Sequence, residues 1–155
     1  MIRELHIDEQ RLLRDFLYDA IFLPAGEEPP DKSIIDRPEL QIYIEDFGSR
    51  ESDKCFVAEV DGEAVGAVWC RIMNDYGHID DETPSLAISV RREYRGRGIG
   101  TALMRKMLGY LKQSGYFRAS LSVQKANYAV NMYQNLGFEV FAENDGEYIM
   151  RITLT

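Results

Sequence analysis

Seven consecutive residues carry the strongest chemical signal in this chain of 155 residues. They are Arg95, Gly96, Arg97, Gly98, Ile99, Gly100 and Thr101. A helical pattern begins inside this segment. The first turn of a helix has backbone N–H groups without intrahelical partners, and the helix dipole adds positive potential there. Glycines at 96, 98 and 100 let the backbone approach a ligand closely. Arg95 and Arg97 supply charge-assisted donors. Together these features make an anion site suited to a pyrophosphate. The chain has no Gly-Lys-Ser/Thr, so the segment is not a P-loop. The glycine that a dinucleotide fingerprint requires is replaced by Thr101 or Leu103, depending on the starting glycine.

The elements around this segment follow from periodicity. Ser85–Val90 reads as a buried strand leading into it. Residues 98–114 carry an apolar stripe of Ile99, Ala102, Leu103, Met107, Tyr110 and Leu111, and Gly115 follows as a C-terminal stop. Upstream, residues 2–7 read as a strand and Asp8 as the cap of a helix through Ile21. Residues 24–38 form a proline-rich loop, and Pro38 opens a second helix with Leu40, Ile44 and Phe47 on one face. Asp61-Gly62 turns a hairpin between strands 54–60 and 63–73. Pairing Val60 with Glu63 sets Cys55 opposite Val68, with Cys70 one diagonal step away. Residues 119–123 form a strand, and Asn127 caps a short helix that ends at Gly137. Two last strands are turned by Asn144-Asp145-Gly146. The order β-α-α-β-β-β-α-β-α-β-β predicts an α/β (α+β) fold. Its sheet is mixed, mostly antiparallel, with helices on both faces.

Composition sets the bounds. The length and the absence of a linker predict a single domain over residues 1–155. The net charge of -8 and the lack of a basic run exclude nucleic acid as the expected partner. No apolar run is long enough for a membrane helix, and the first residues lack a signal-peptide core. A cytoplasmic protein without a membrane partner is expected. Two cysteines without CxxC spacing predict free buried thiols and no metal site.

Arg95-x-x-Gly98-x-Gly100 resembles the R/Q-x-x-G-x-G/A motif of the GNAT superfamily of N-acetyltransferases. The element order is similar to the GNAT core. Residues 127–133, continued by Leu136-Gly137-Phe138, resemble the second signature of that family. The likeness covers most of the chain and is sharpest over residues 85–138. It implies acetyl-CoA as co-substrate and transfer of an acetyl group to a primary amine of a small molecule or peptide. It also implies a site, residue by residue. The amides of residues 95–101 hold the CoA pyrophosphate. Ile88, Ser89 and Val90 pair with the pantetheine arm, in a slot where this strand splays from the next. Asn127 contacts the cofactor arm. Tyr133 lies near the cofactor sulfur as general acid, because a phenol can protonate a departing thiolate.

The base is less marked. GNAT enzymes often carry a Glu on the strand before the glycine segment, and Ser85–Val90 holds no carboxylate. The nearest are Glu82, Asp81 and Asp80, with Glu82 as the candidate base, acting directly or through water. His78 is the other titratable group of that loop. The family likeness places the acceptor against residues 22–35 and 74–83, where Tyr76, Asp80 and Asp81 are candidates to hold an amine. Many GNAT proteins pair as homodimers, although no heptad here marks an interface. Two other readings compete: a catalytically inactive, CoA-responsive binding or regulatory module, and an unrelated nucleotide-binding protein.

Overall fold

A computed structural model describes residues 1–154. In chain order the elements are β1 (Ile2–Glu4), α1 (Arg11–Ala20), α2 (Pro38–Gln41), β2 (Lys54–Val60), β3 (Glu63–Arg71), β4 (Ser85–Val90), α3 (Ile99–Gln113), β5 (Arg118–Gln124), α4 (Ala129–Leu136), β6 (Glu139–Glu143) and β7 (Glu147–Thr153). This is the order the sequence predicts. The seven strands form one sheet, ordered β1-β2-β3-β4-β5-β7-β6. Every neighbouring pair is antiparallel except β4 and β5.

Alternation along the strands builds a core on each face. Phe56, Val68 and Cys70 face α3, where Leu103, Met104, Met107 and Leu111 are all buried. Val57, Ala67 and Trp69 face the other way, against Leu13, Phe16 and Leu17 of α1. Helices therefore cover both faces, as the element order requires.

The hairpin register differs from the expected one. Val60 does pair with Glu63, but the register slips between Ala58 and Glu59. The bulge inserts one residue into β3. Cys55 therefore opposes Trp69 rather than Val68. Cys55 packs on the α1 face and Cys70 on the α3 face, so the two thiols are not diagonal neighbours. Both are buried and free.

The first helix starts later than expected and the second stops early. Asp8 lies inside a 3-10 turn, Ile7–Glu9, and α1 begins at Arg11. The Glu9 carboxylate closes that turn by accepting from the His6 amide and from Arg3. α2 spans only four residues. The Arg71 side chain explains this. It is fully buried and donates to the carbonyls of Ile42 and Glu45 at 3.1 and 2.7 Å. Residues 42–47 wrap around the guanidinium instead of continuing the helix. Asp53 completes the grip, accepting from Nε and Nη2 at 2.8 Å each.

Candidate active site

The parallel pair β4 and β5 barely touches. Ser85 opposite Ser120 is its one rung among the described residues. Beyond that rung the strands part, and a cleft of about 820 Å³ opens between them. β4 is fully paired with β3 on its other edge, from Arg71 opposite Ser85 to Gly66 opposite Val90. The edge of β4 that faces the cleft therefore presents backbone N–H and C=O groups without strand partners. Such groups need another hydrogen-bonding partner.

The cleft runs through the sheet from one face to the other. On one side Met104, Asn127, Tyr128, Met132 and Tyr133 line it. On the other side its walls are the end of α1, Phe22, Leu23, Pro29, Pro30, Leu40 and Tyr43. At one mouth stands the N-terminus of α3. Gly98 caps this helix in the left-handed conformation, with φ 80° and ψ 5°. Gly96 has φ 79°. A side chain at either position would meet nothing within 4 Å, so both glycines face open space. The open space lies against the partnerless first-turn amides of α3. Arg95 Nε donates to the Val90 carbonyl at 2.9 Å, tying the glycine segment to the end of β4.

Tyr133 is the buried residue of α4, with its ring edge-on to Phe138 at 5.8 Å between centroids. Burial, with a smaller contribution from Tyr128, raises its pKa well above the usual phenol value. The phenol stays protonated at neutral pH. The N-cap of α4 is Tyr128, one residue later than the expected Asn127, whose carboxamide oxygen still accepts from the Ala129 amide at 2.9 Å in the turn that leads into the helix.

The residues expected to hold the cofactor are thus brought together. Ile88, Ser89, Val90, Arg95, Gly96, Gly98, Ile99, Gly100, Thr101, Asn127 and Tyr133 all line the cleft. Arg97 does not, because its guanidinium sits over the Tyr94 ring at 5.1 Å. The Ser89 hydroxyl is buried without a partner among the described residues. Its opposite number on β3 is Ala67, on the α1 face.

The loop before β4 behaves differently. Tyr76, Asp80, Asp81 and Glu82 are not among the cleft-lining residues. Asp80 is occupied locally, accepting from the Glu82 amide, the Thr83 hydroxyl and Arg118. His78 Nε2 lies 3.4 Å from Asp81, and its Nδ1 is buried without a partner among the described residues. The carboxylates that do line the cleft are Asp19, Glu93 and Glu147. Neither Glu147 nor Tyr43 was visible as a site residue in the sequence. Glu147 reads as the first residue after a turn, and Tyr43 as one aromatic in an ordinary helix. No group of three or more metal-ligating side chains occurs among the described residues.

The model of the acetyltransferase (GNAT) family matches residues 16–138. The chain belongs to the GNAT family of acetyltransferases. An uncharacterized N-acetyltransferase of Archaeoglobus fulgidus is 32% identical over 128 residues, covering 78% of this chain and 82% of that protein. An uncharacterized N-acetyltransferase of Methanocaldococcus jannaschii is 38% identical over 100 residues, covering 63% of this chain and 44% of that one. This GNAT chain spans under half the length of several curated relatives that it matches. The PaiA N-acetyltransferase of Thermoplasma acidophilum, solved in complex with coenzyme A, superposes with a TM-score of 0.72 at 18% identity. The superposition covers 99% of this chain and 98% of that one, and shows a shared fold. No helix among the described residues is long and apolar enough to cross a membrane.

Proposed function

We propose that this GNAT chain transfers an acetyl group from acetyl-CoA to a primary amine of a small molecule or peptide. One observation carries the reading: the cleft between β4 and β5 joins an anion-binding helix N-terminus to a buried, protonated phenol. The residues present fit the cofactor. Left-handed Gly96 and Gly98 leave room for a pyrophosphate against the first amides of α3. The unpaired edge of β4 suits an arm that itself carries amides, as a strand suits a strand. When bound, acetyl-CoA supplies an activated thioester whose carbonyl carbon a neutral amine can attack.

The chain's own residues do the rest. Backbone amides of residues 98–101 hold negative charge at the mouth. The two lips of the cleft keep the reacting groups side by side, which removes most of the entropic barrier to their meeting. Tyr133 donates a proton where thiolate charge develops. The acceptor enters from the α1 face, past Phe22, Leu23, Pro29 and Pro30. Several curated relatives are named N-acetyltransferases, one of them an N-alpha-acetyltransferase of Sulfurisphaera tokodaii, which supports an amine as acceptor.

A thermal-shift titration with acetyl-CoA, with ATP and NAD as controls, tests the reading. A ligand selective for the folded state adds about 2.7 kcal/mol at a hundredfold excess over its Kd. A selective shift with acetyl-CoA is expected. No shift, or a larger one with ATP or NAD, removes the assignment.

A further inference from the structure

An alkylammonium must lose a proton before its nitrogen can attack. β4 carries no carboxylate to take that proton. A cluster at the apex of the cleft, where β4 and β5 part, supplies one. The Tyr43 phenol, held by the segment wrapped around Arg71, donates to Asp75 Oδ2 at 2.9 Å. Asp75 Oδ1 accepts from Ser85 Oγ at 3.0 Å. Ser85 belongs to the rung that joins the two strands. Asp75 therefore links two separate parts of the chain, the Tyr43 segment and the start of β4, and Tyr43 lines the cleft. Ser122 of β5 lines the same cleft as Tyr43, from the other strand. Glu147 lines the same cleft, and its charge bears on Tyr43. A clasp that only fastened the strands would be served by a neutral amide. Here an aspartate is held behind a tyrosine that reaches the cavity.

We propose that Tyr43 and Asp75 form a proton relay for the acceptor amine, and that Glu147 draws the ammonium into the cleft. The proposal rests on the acetyltransferase reading above. The acceptor arrives as an ammonium. One proton leaves its nitrogen for the Tyr43 oxygen while the Tyr43 proton moves to Asp75. A neutral amine and a neutral carboxyl result. As the nitrogen–carbon bond forms and the carbon–sulfur bond breaks, the sulfur takes the Tyr133 proton. The second nitrogen proton replaces it through water. Asp75 then returns its proton to water through Tyr43. The sum is an ammonium and a thioester giving an amide, a thiol and one proton. Burial first, and then the Asp75 charge, push the Tyr43 pKa up. Tyr43 therefore passes a proton on and does not persist as a phenolate.

Two nucleophiles separate the relay from a structural role. Thiol release from acetyl-CoA is followed with n-butylamine, which arrives charged, and with hydroxylamine, which is already neutral at neutral pH. Tyr43→Phe and Asp75→Asn should each lower the n-butylamine rate about a hundredfold, the scale of one proton-transfer group. The hydroxylamine rate should stay within about twofold, because that nucleophile bypasses the relay. Glu147→Gln should raise KM for n-butylamine and leave kcat. Equal losses with both nucleophiles, or no loss with either, overturn the relay. If Asp75→Asn fails to fold, Tyr43→Phe decides, since it keeps the ring and removes only the oxygen. Wild-type protein that shifts with acetyl-CoA yet releases no thiol with either amine also overturns the relay. Wild-type protein that shows no acetyl-CoA shift overturns the acetyltransferase reading itself.

Discussion

The two walls of the cleft are built in opposite ways. The wall proposed for the cofactor is mostly continuous in sequence: strand β4, a glycine turn, then α3, within residues 85–113, with Asn127 and Tyr133 added from the α4 region. The wall proposed for the acceptor is assembled from the end of α1, a proline loop, the segment around Tyr43 and the start of β7. A backbone motif can be written in consecutive residues, because each amide is positioned by its neighbours. A side-chain pocket depends on distant segments being held together, and here a buried charge does much of the holding.

That contrast can be broken most forcefully at Arg71. Its side chain and that of Asp53 are fully buried, and it alone fixes the carbonyls of Ile42 and Glu45. Arg71→Met leaves Asp53 buried without its partner and should cost about 3–5 kcal/mol, lowering Tm by roughly 10 °C. The acceptor wall should loosen while the α3 N-terminus remains. Thermal melts and acetyl-CoA titration check both halves. Burial raises the Asp53 pKa, but Arg71 and the Arg50 and Gly48 amides outweigh it and hold the carboxyl below its usual value. A group whose pKa is depressed by folding stabilises above its unfolded pKa and ceases to do so as pH falls. The cost of Arg71→Met should therefore shrink as pH drops below about 4, the ordinary aspartate range.

The cofactor wall is broken at Gly98. A glutamate there places negative charge at the pyrophosphate position and forces a left-handed φ on a side-chain-bearing residue. Acetyl-CoA affinity should fall at least about a hundredfold, or about 2.8 kcal/mol. A folded variant with unchanged affinity in calorimetry would move the cofactor elsewhere. Tyr133→Phe keeps the contact with Phe138 and removes only the acid. Turnover should drop about a hundredfold, near 2.7 kcal/mol, with acetyl-CoA affinity unchanged. Equal kcat in the two proteins would take Tyr133 out of the acid role. The smallest effect is expected at Ser89. Its hydroxyl is buried without a partner among the described residues, so Ser89→Ala should be neutral or stabilise by up to about 1 kcal/mol in a denaturant melt. A loss of 1 kcal/mol or more would mean that the hydroxyl has a partner.

The same contrast explains what could be read in advance. α3 and the glycine segment lie where periodicity places them, and α4 starts within a residue of the expected cap, because those signals are local. The register of the β2–β3 hairpin does not follow from its turn alone, because an extra residue in β3 shifts the pairing opposite Ala58 and Glu59. The second helix was legible at Pro38 but not at its end, since Arg71, some thirty residues later, captures its carbonyls. The acidic residues 80–82 look like candidates in sequence because they precede β4. In space Asp80 is spent on Thr83, Glu82 and Arg118.

The sequence by itself determined the family, the order of elements and the glycine-capped start of α3. Each rests on spacing between near neighbours, which the backbone preserves on folding. Tertiary structure alone decided that β4 and β5 share a single rung among the described residues. It also decided that Tyr43 and Tyr133 line one cleft from opposite faces of the sheet. Strand separation and side-chain convergence arise from contacts between residues far apart in the chain, and no local pattern encodes them.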